Sequence, residues 1–455
     1  MPRRTLKFLS SARDTLRAYI WLLKIQLLAR KKRNERVPVA PERHIALLAW
    51  QFPPLITGGV YRPAALARYA NTAGWKVSVI AGPQPAMVSE VGTFLANQIP
   101  ADVRIGRPAE PQLYPSFRVF PRIDGGFLNA LQAFDFGRKF LRDAPPSVLI
   151  ATGPLFHNFV AGFFLARRYD VPLILEYRDE WSECPFSFVY KGNADRLWEA
   201  RCLREAAAVI FTTESQRTHQ LRAFPFLDPN RCHVIPNGWE QHDLNECLHG
   251  NRCERQADDP LVLSFFGNLS DHTLPGEFLW AIEKLIARKP EWRDRLRLRF
   301  VGQRSGQAYA QLMAFSDPDM LIIEEQVTKP LALSGMRESD ALLIFNTPDF
   351  DRYLPGKLFD YLASGTPVLM FGEGGESAAL VSQLGAGMVV PKDAIDVLDA
   401  TLSTLAATRP HNDSTDLSSW LVAHTREALA GQTLDLLERL ETAHSMSAVG
   451  SAQFH

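Results

Sequence analysis

Short apolar runs of strand length, each separated from the next by a stretch with helical periodicity, constrain this chain more than any other feature. In the first half they are HIALLAW (44–50), VSVIAG (77–82), VLIATG (148–153), PLILEYR (172–178), AVIFTT (208–213) and HVIPNG (233–238). Most are apolar throughout rather than at alternate positions, which requires strands buried on both faces, as in a parallel sheet covered by helices. The rhythm stops in a charged stretch ending at Asp258-Asp259-Pro260 and then restarts with LVLSFFGNL (261–269), LRLRFVGQ (296–303), MLIIEEQV (320–327), ALLIFNT (341–347), PVLMFG (367–372) and GMVVP (387–391). A chain of 455 residues exceeds what one core usually serves. The expected fold class is therefore α/β, with two Rossmann-like parallel-sheet domains at 39–240 and 255–408. An amphipathic helix pair at 416–444 is expected to pack across their junction. Residues 83–125 carry seven prolines and little periodicity, so a long loop is expected there, and 445–455 read as unstructured.

The formal net charge is zero, yet residues 1–36 hold eleven Lys and Arg against Asp14 and Glu35. The basicity is thus local to 1–38, and no basic and aromatic interleaving elsewhere supports a nucleic-acid partner. Within LRAYIWLLKIQLLARKKR (16–33) the apolar run is interrupted by Lys24 and falls short of the roughly 20 residues that a span requires. On a helical wheel Leu9, Leu16, Ile20, Leu23 and Leu27 share one face beside Arg13, Arg17, Lys24 and Lys31. That pattern suits a helix lying in an anionic membrane surface. The alternative is a helix packed on the body or on a partner. The cysteines Cys184, Cys202, Cys232, Cys247 and Cys253 are odd in number and never spaced C-x-x-C, which reads as reduced thiols in a cytoplasmic protein without a zinc site.

Two segments carry candidate chemistry. In RYLPGKLFDYLASGTPVLMFGE (352–373), Pro355 and Gly356 open a helix whose first N–H groups lack intrahelical partners and can face an anion. Lys357 adds a cation, and Asp360, one turn on, offers a carboxylate to a ribose diol. After the first strand, QFPPLITGGVYRPAALARYA places Gly58-Gly59 before a helix that begins near Arg62-Pro63. Two glycines let the backbone approach a diphosphate closely, although such turns also serve simply to join a strand to a helix.

FPP-x4-GG-x2-RP, TGPLFHNFVAG, EYRDEW, VIPNG, FGNL and PGKLFDYLASGTPVLMFG, in this order between about His44 and Leu437, together resemble the GT-B glycosyltransferases of family 4. The resemblance implies two domains facing a cleft, a nucleotide-diphosphate sugar held mainly by the second, and an acceptor held mainly by the first. It also implies transfer with retention, no cofactor and no bound metal. By position it assigns Gly58, Gly59, Arg62, Gly267, Asn268, Arg352, Lys357, Leu358 and Asp360 to the donor, and His157, Arg178 and Asp179 to catalysis. For His157 the competing reading is a residue that caps or packs a helix start; for Arg178 and Asp179 it is a mutual ion pair shaping their loop. Asn237-Gly238 read as an interdomain hinge.

Departures from the family pattern are equally informative. Where relatives carry E-x7-E, this chain has Arg352 and Asp360, and where many place Arg and Lys after the FGNL-like strand it has Ser270, Asp271 and His272. Lys357, with Arg352, then has to supply the positive charge. Asp317-Pro-Asp319 and Asp349-Phe-Asp351 mimic a D-x-D metal motif, but that motif belongs with a different, single-domain architecture. The resulting expectation is a cytoplasmic glycosyltransferase, peripherally bound to the inner face of a membrane, acting on a lipid-linked or growing surface glycan. The alternatives are a non-catalytic sugar-nucleotide-binding or scaffolding subunit and a nucleotide-sugar epimerase of the same fold, for which Asp179, Glu180 and Glu183 would supply carboxylates.

Overall fold

The computed structural model describes residues 3–31, 42–113, 115, 120–247, 259–408 and 415–452. The chain divides into two units, one made of residues up to Ile235 together with those from Ala430 onward, the other of Pro236–Leu429.

The first unit holds a seven-stranded sheet: β1 His44–Leu48, β2 Lys76–Ile80, β3 Arg104–Gly106, β4 Val148–Gly153, β5 Leu173–Tyr177, β6 Ala208–Phe211 and β7 Cys232–Val234. Its order is β3-β2-β1-β4-β5-β6-β7, parallel throughout. Ile45 pairs with Val77 on one side and Val148 on the other, so β1 lies at the point where the strand order reverses. Every residue of β1, β4, β5 and β6 is buried, the polar His44, Thr152 and Glu176 included. The helices among the described residues of this region are α1 Arg3–Lys31, α2 Tyr61–Thr72, α3 Glu90–Asn97, α4 Phe127–Phe140, α5 His157–Tyr169, α6 Asp195–Glu205 and α7 Glu214–Ala223.

The second unit has a six-stranded parallel sheet of β8 Leu261–Phe266, β9 Leu296–Val301, β10 Leu321–Glu324, β11 Ala341–Phe345, β12 Val368–Phe371 and β13 Gly387–Val390, in the order β10-β9-β8-β11-β12-β13. Its reversal lies between β8 and β11. Open α/β sheets bind ligands outside the carboxyl ends of their strands at such a reversal, so each unit has one favoured place for a site.

Three sequence expectations change. The segment 83–125 is not one loop: Ser89 accepts a hydrogen bond from Gly92 N at 3.2 Å and caps α3, and Arg104–Gly106 adds the edge strand β3. The C-terminal helix runs through Arg426–Ala452, beyond the expected end and into the segment read as unstructured. It is preceded by Thr415–Ala423, and Thr425 at the break bridges to Trp239. The N-terminal helix packs on the first unit. Ala18, Leu22, Ile25 and Ala29 are buried, Trp21 donates to Asp135, and Arg168 donates to Leu28 O at 3.2 Å. The apolar face expected to contact lipid stays outside, with Leu16 63%, Ile20 56%, Leu23 58% and Leu27 66% exposed.

Candidate functional site

In the first unit the candidate residues gather at the carboxyl ends of β1, β4 and β5. Arg178, just past β5, spends its guanidinium on backbone: Nε donates to Gly153 O at 3.1 Å, and the two terminal nitrogens to Gly59 O and Pro154 O. Neither the catalytic assignment nor the competing mutual pair with Asp179 describes these bonds, which form a clip fixing the Gly58-Gly59 turn to the end of β4. A Cβ on Gly59 would stand 2.0 Å from Arg178 Nη1 and 2.3 Å from Gln51 Oε1, whereas Gly58 has open space around it. Gly59→Ala should accordingly lower stability by about 1–2 kcal/mol, because the clip must break or the turn must move. Thermal melts of Gly59→Ala beside Gly58→Ala check this, with the Gly58 variant unchanged.

Arg62, assigned to the donor from the sequence, donates instead from Nε to the buried Glu176 at 2.8 Å. Burial pushes Glu176 toward protonation, but the Arg62 guanidinium outweighs it and holds the carboxyl below its usual range. Arg62 is thus a positioning residue for the start of α2. Asp179 is half-buried, and burial carries its carboxyl up to about 6 against the pull of Arg178.

His157 begins α5 with its ring fully buried, edge-on to Trp50 at 4.4 Å between centroids. Neither ring nitrogen has a hydrogen-bond partner among the described residues. Burial lowers its pKa to about 3, so the imidazole is neutral at any ordinary pH and keeps one N–H to donate. An unmet polar ring costs stability, and this one makes no capping bond at the start of α5 among the described residues. Gly125, with φ +69, makes room for it: a Cβ there would fall 2.1 Å from Nδ1. The loop is held by Asp124, whose carboxylate accepts from Phe156 N at 2.9 Å and Tyr190 N at 3.1 Å. Asp195 in turn accepts from Asp124 N at 2.8 Å. Sequence reasoning missed Asp124 and Asp195, which nothing local distinguishes from surface carboxylates, and Glu176, which its place inside the apolar run PLILEYR could have flagged.

In the second unit the site forms around the helix Gly356–Ser364. Pro355 precedes it without any side-chain cap, so the Gly356 and Lys357 N–H groups have no acceptor from that side chain. Lys357 is half-buried, with Nζ 3.6 Å from the centroid of the Phe265 ring and no carboxylate partner among the described residues. Burial pulls its pKa down to about 7. Gly267, at φ +123 beyond β8, lies alongside: a Cβ there would be 3.4 Å from Lys357 Nζ. Tyr361 locks the helix to β8, its hydroxyl accepting from Phe266 N at 2.8 Å and donating to Phe266 O at 3.2 Å. Asn268 is exposed, and Arg352 lies over the Tyr353 ring.

Two donor assignments are corrected here. Leu358 is core: its side chain is fully buried and its N–H donates to Pro355 O at 2.9 Å. Asp360 is buried and ion-paired with Lys329 from the helix Lys329–Arg337, so its carboxylate is already engaged. Lys329 went unnoticed in VTKPL, although Thr-Lys-Pro is a legible helix start. Asp360→Asn should cost about 1.5–3 kcal/mol of stability, the usual scale for a charge-assisted bond. The loss should largely vanish when Lys329→Met is added, and denaturant unfolding of the single and double variants decides it.

Residues 27–238 match the family described as glycosyl transferase 4-like domain. Among curated relatives, the D-inositol 3-phosphate glycosyltransferase of Kribbella flavida is 25% identical over 211 residues, 44% of this chain and 49% of the relative. The chain thus spans about half the length of the curated relatives it matches. Among solved structures, the sucrose-phosphate synthase of Thermosynechococcus elongatus aligns with a TM-score of 0.65 at 15% identity, over 88% of this chain and 100% of that one. WaaG, a glycosyltransferase involved in lipopolysaccharide biosynthesis, aligns at 0.56 and 14% identity, over 86% and 99%. The fold is GT-B.

Proposed function

We propose that this chain, a GT-B protein of the family 4 glycosyltransferase type, moves a sugar from a nucleotide-diphosphate donor to an acceptor hydroxyl. The observation that carries the reading is Lys357: a half-buried cation with no carboxylate partner among the described residues, beside uncapped helix N–H groups and Gly267. Such a grouping of a cation with backbone donors suits an anion. In transfer the bond from the anomeric carbon to the diphosphate oxygen breaks, the acceptor oxygen bonds to that carbon and releases its proton to solvent, and the diphosphate departs with the bonding electron pair and added negative charge. Lys357 and the Gly356 and Lys357 N–H groups stabilise that charge as it develops, which lowers the barrier itself rather than only tightening binding. We also infer a role in turnover for the neutral N–H of His157 in the first unit. Displacement of a fluorescent nucleoside diphosphate by sugar nucleotides tests the donor site, and a protein that binds none of a broad panel contradicts it.

The acceptor we infer is membrane-borne. No helix among the described residues is long and apolar enough to cross a membrane. What supports a surface attachment is the exposed stripe Leu16, Ile20, Leu23 and Leu27 beside exposed Arg13, Arg17 and Lys24, since α1 already buries its other face. Because α1 is part of the first unit, its deletion would expose core, so the informative change is on the stripe. Replacing the four residues by Ser should leave the melting temperature unchanged and abolish flotation with anionic vesicles. Undiminished flotation would rule the stripe out as the attachment.

A further inference from the structure

A groove of about 370 Å³ lies over α5, walled by α1 on one side and α6 on the other. Its floor is Phe163 with Arg167, and its walls carry Arg30, Trp198, Arg201 and Arg204. Four arginines line it with a single acid, Glu205, which pairs with Arg167 at 3.7 Å. Arg201 and Arg204 instead lie over the rings of Trp198 and Phe226, at 4.7 and 4.1 Å from the centroids, and neither has a carboxylate partner among the described residues. Stacked arginines are pre-organised for a phosphate, since the planar fork loses little freedom on binding.

What stands around the groove says which phosphate. On α1, Leu23, Leu27 and Arg30 follow one another at helical spacing; on α6, Leu197, Arg201 and Arg204 do the same. Leu197 is 55% exposed, like the α1 leucines. Each wall therefore presents exposed aliphatic side chains next to its arginine. A free anion or an acidic protein segment would use the arginines and leave the leucines in water, whereas a lipid uses both.

We propose that this groove binds the phosphate headgroup of an anionic lipid, with the α1 and α6 leucines entering the apolar layer beside it. The proposal deepens the membrane placement above and does not depend on the donor site. Each arginine touching the surface adds to the attraction, so losing two should weaken binding roughly thirtyfold.

The test titrates the full chain with short-chain phosphatidylglycerol kept monomeric, below its micelle concentration, with short-chain phosphatidylcholine and inorganic phosphate in parallel. Saturable one-to-one binding of the anionic lipid is expected, at least tenfold tighter than either control. In Arg201→Ala/Arg204→Ala it should fall roughly thirtyfold, while Arg222→Ala, at an exposed arginine of α7 outside the groove lining, keeps it. Circular dichroism and melting temperature verify folding, and Arg201→Lys/Arg204→Lys replaces the alanine pair should that variant fail to fold, with at least a tenfold loss expected because lysine lacks the fork. Inorganic phosphate binding as tightly as the lipid, or arginine variants that bind undiminished, would overturn the proposal. Sugar-nucleotide affinity, measured on the same samples, should not change; its absence from the unaltered protein would instead count against the donor reading alone.

Discussion

His157→Ala should reduce turnover about a hundredfold to a thousandfold, the scale for losing one preorganised donor to a developing charge, while sugar-nucleotide affinity stays within twofold. The buried ring has no hydrogen-bond partner among the described residues and a pKa of about 3, so it acts as a neutral donor and not as an acid that titrates near neutrality. Its ionisation then contributes no inflection to the rate between about pH 5 and 8, the window in which an unperturbed histidine titrates. His157→Asn, which keeps a donor in a smaller side chain, should recover part of the rate and guards against misreading a packing defect beside Trp50. Steady-state kinetics of the three proteins, with melting temperatures, decide the matter. Equal turnover in the alanine variant would return His157 to a packing role.

Lys357→Ala should weaken sugar-nucleotide binding about tenfold to a hundredfold, as expected when a charge-assisted contact worth roughly 1.5–3 kcal/mol is removed. The lowered pKa makes the interaction pH-dependent with a definite sign. Below pH 7 Lys357 is already charged and an anion binds without proton exchange; above it, binding must draw a proton from solvent, and affinity should fall by up to tenfold per pH unit. A sugar diphosphate diester does not titrate in this range, so the slope belongs to the protein. Calorimetry in two buffers of different ionisation enthalpy should show uptake approaching one proton at about pH 8–9, lost in Lys357→Ala. The folding counterpart has the matching sign. With the unfolded lysine at 10.5 and the folded one at about 7, the cost to stability is full below pH 7 and disappears as pH rises through 10.5. The alanine variant should gain stability relative to the parent chiefly on the acid side.

Both sheets were legible in the sequence because a strand buried on both faces is apolar at most positions, and such runs between helical stretches fit little else than a covered parallel sheet. The edge strand β3 was not, since three residues, two of them exposed, carry no such pattern. Helix α1 shows a different limit. Its wheel has two apolar faces, and the one that docks is lined by the small Ala18 and Ala29 with Leu22 and Ile25, which allow close approach to α4 and α5. Amphipathicity reports that a face is apolar and not which neighbour covers it. At the candidate site, Lys357 and the glycines were readable because a helix start and a tight turn are local events. The partners of Asp360, Arg62 and Arg178 were not, because Lys329, Glu176 and the carbonyls of Gly59, Gly153 and Pro154 reach them only through the folded sheet. A charged residue in a family position is a candidate for ligand only until the fold shows what already holds it.

Sugar transfer by this chain is tested most directly by incubating the purified protein with a panel of nucleotide-diphosphate sugars and a membrane lipid extract, and following both products by mass spectrometry. The expected result is an acceptor heavier by one glycosyl residue, formed in equal amount with free nucleoside diphosphate, and neither product with His157→Ala at matched times. Tight binding of a sugar nucleotide with no glycosylated product from any donor in the panel would contradict it and leave a sugar-nucleotide-binding protein without transferase chemistry.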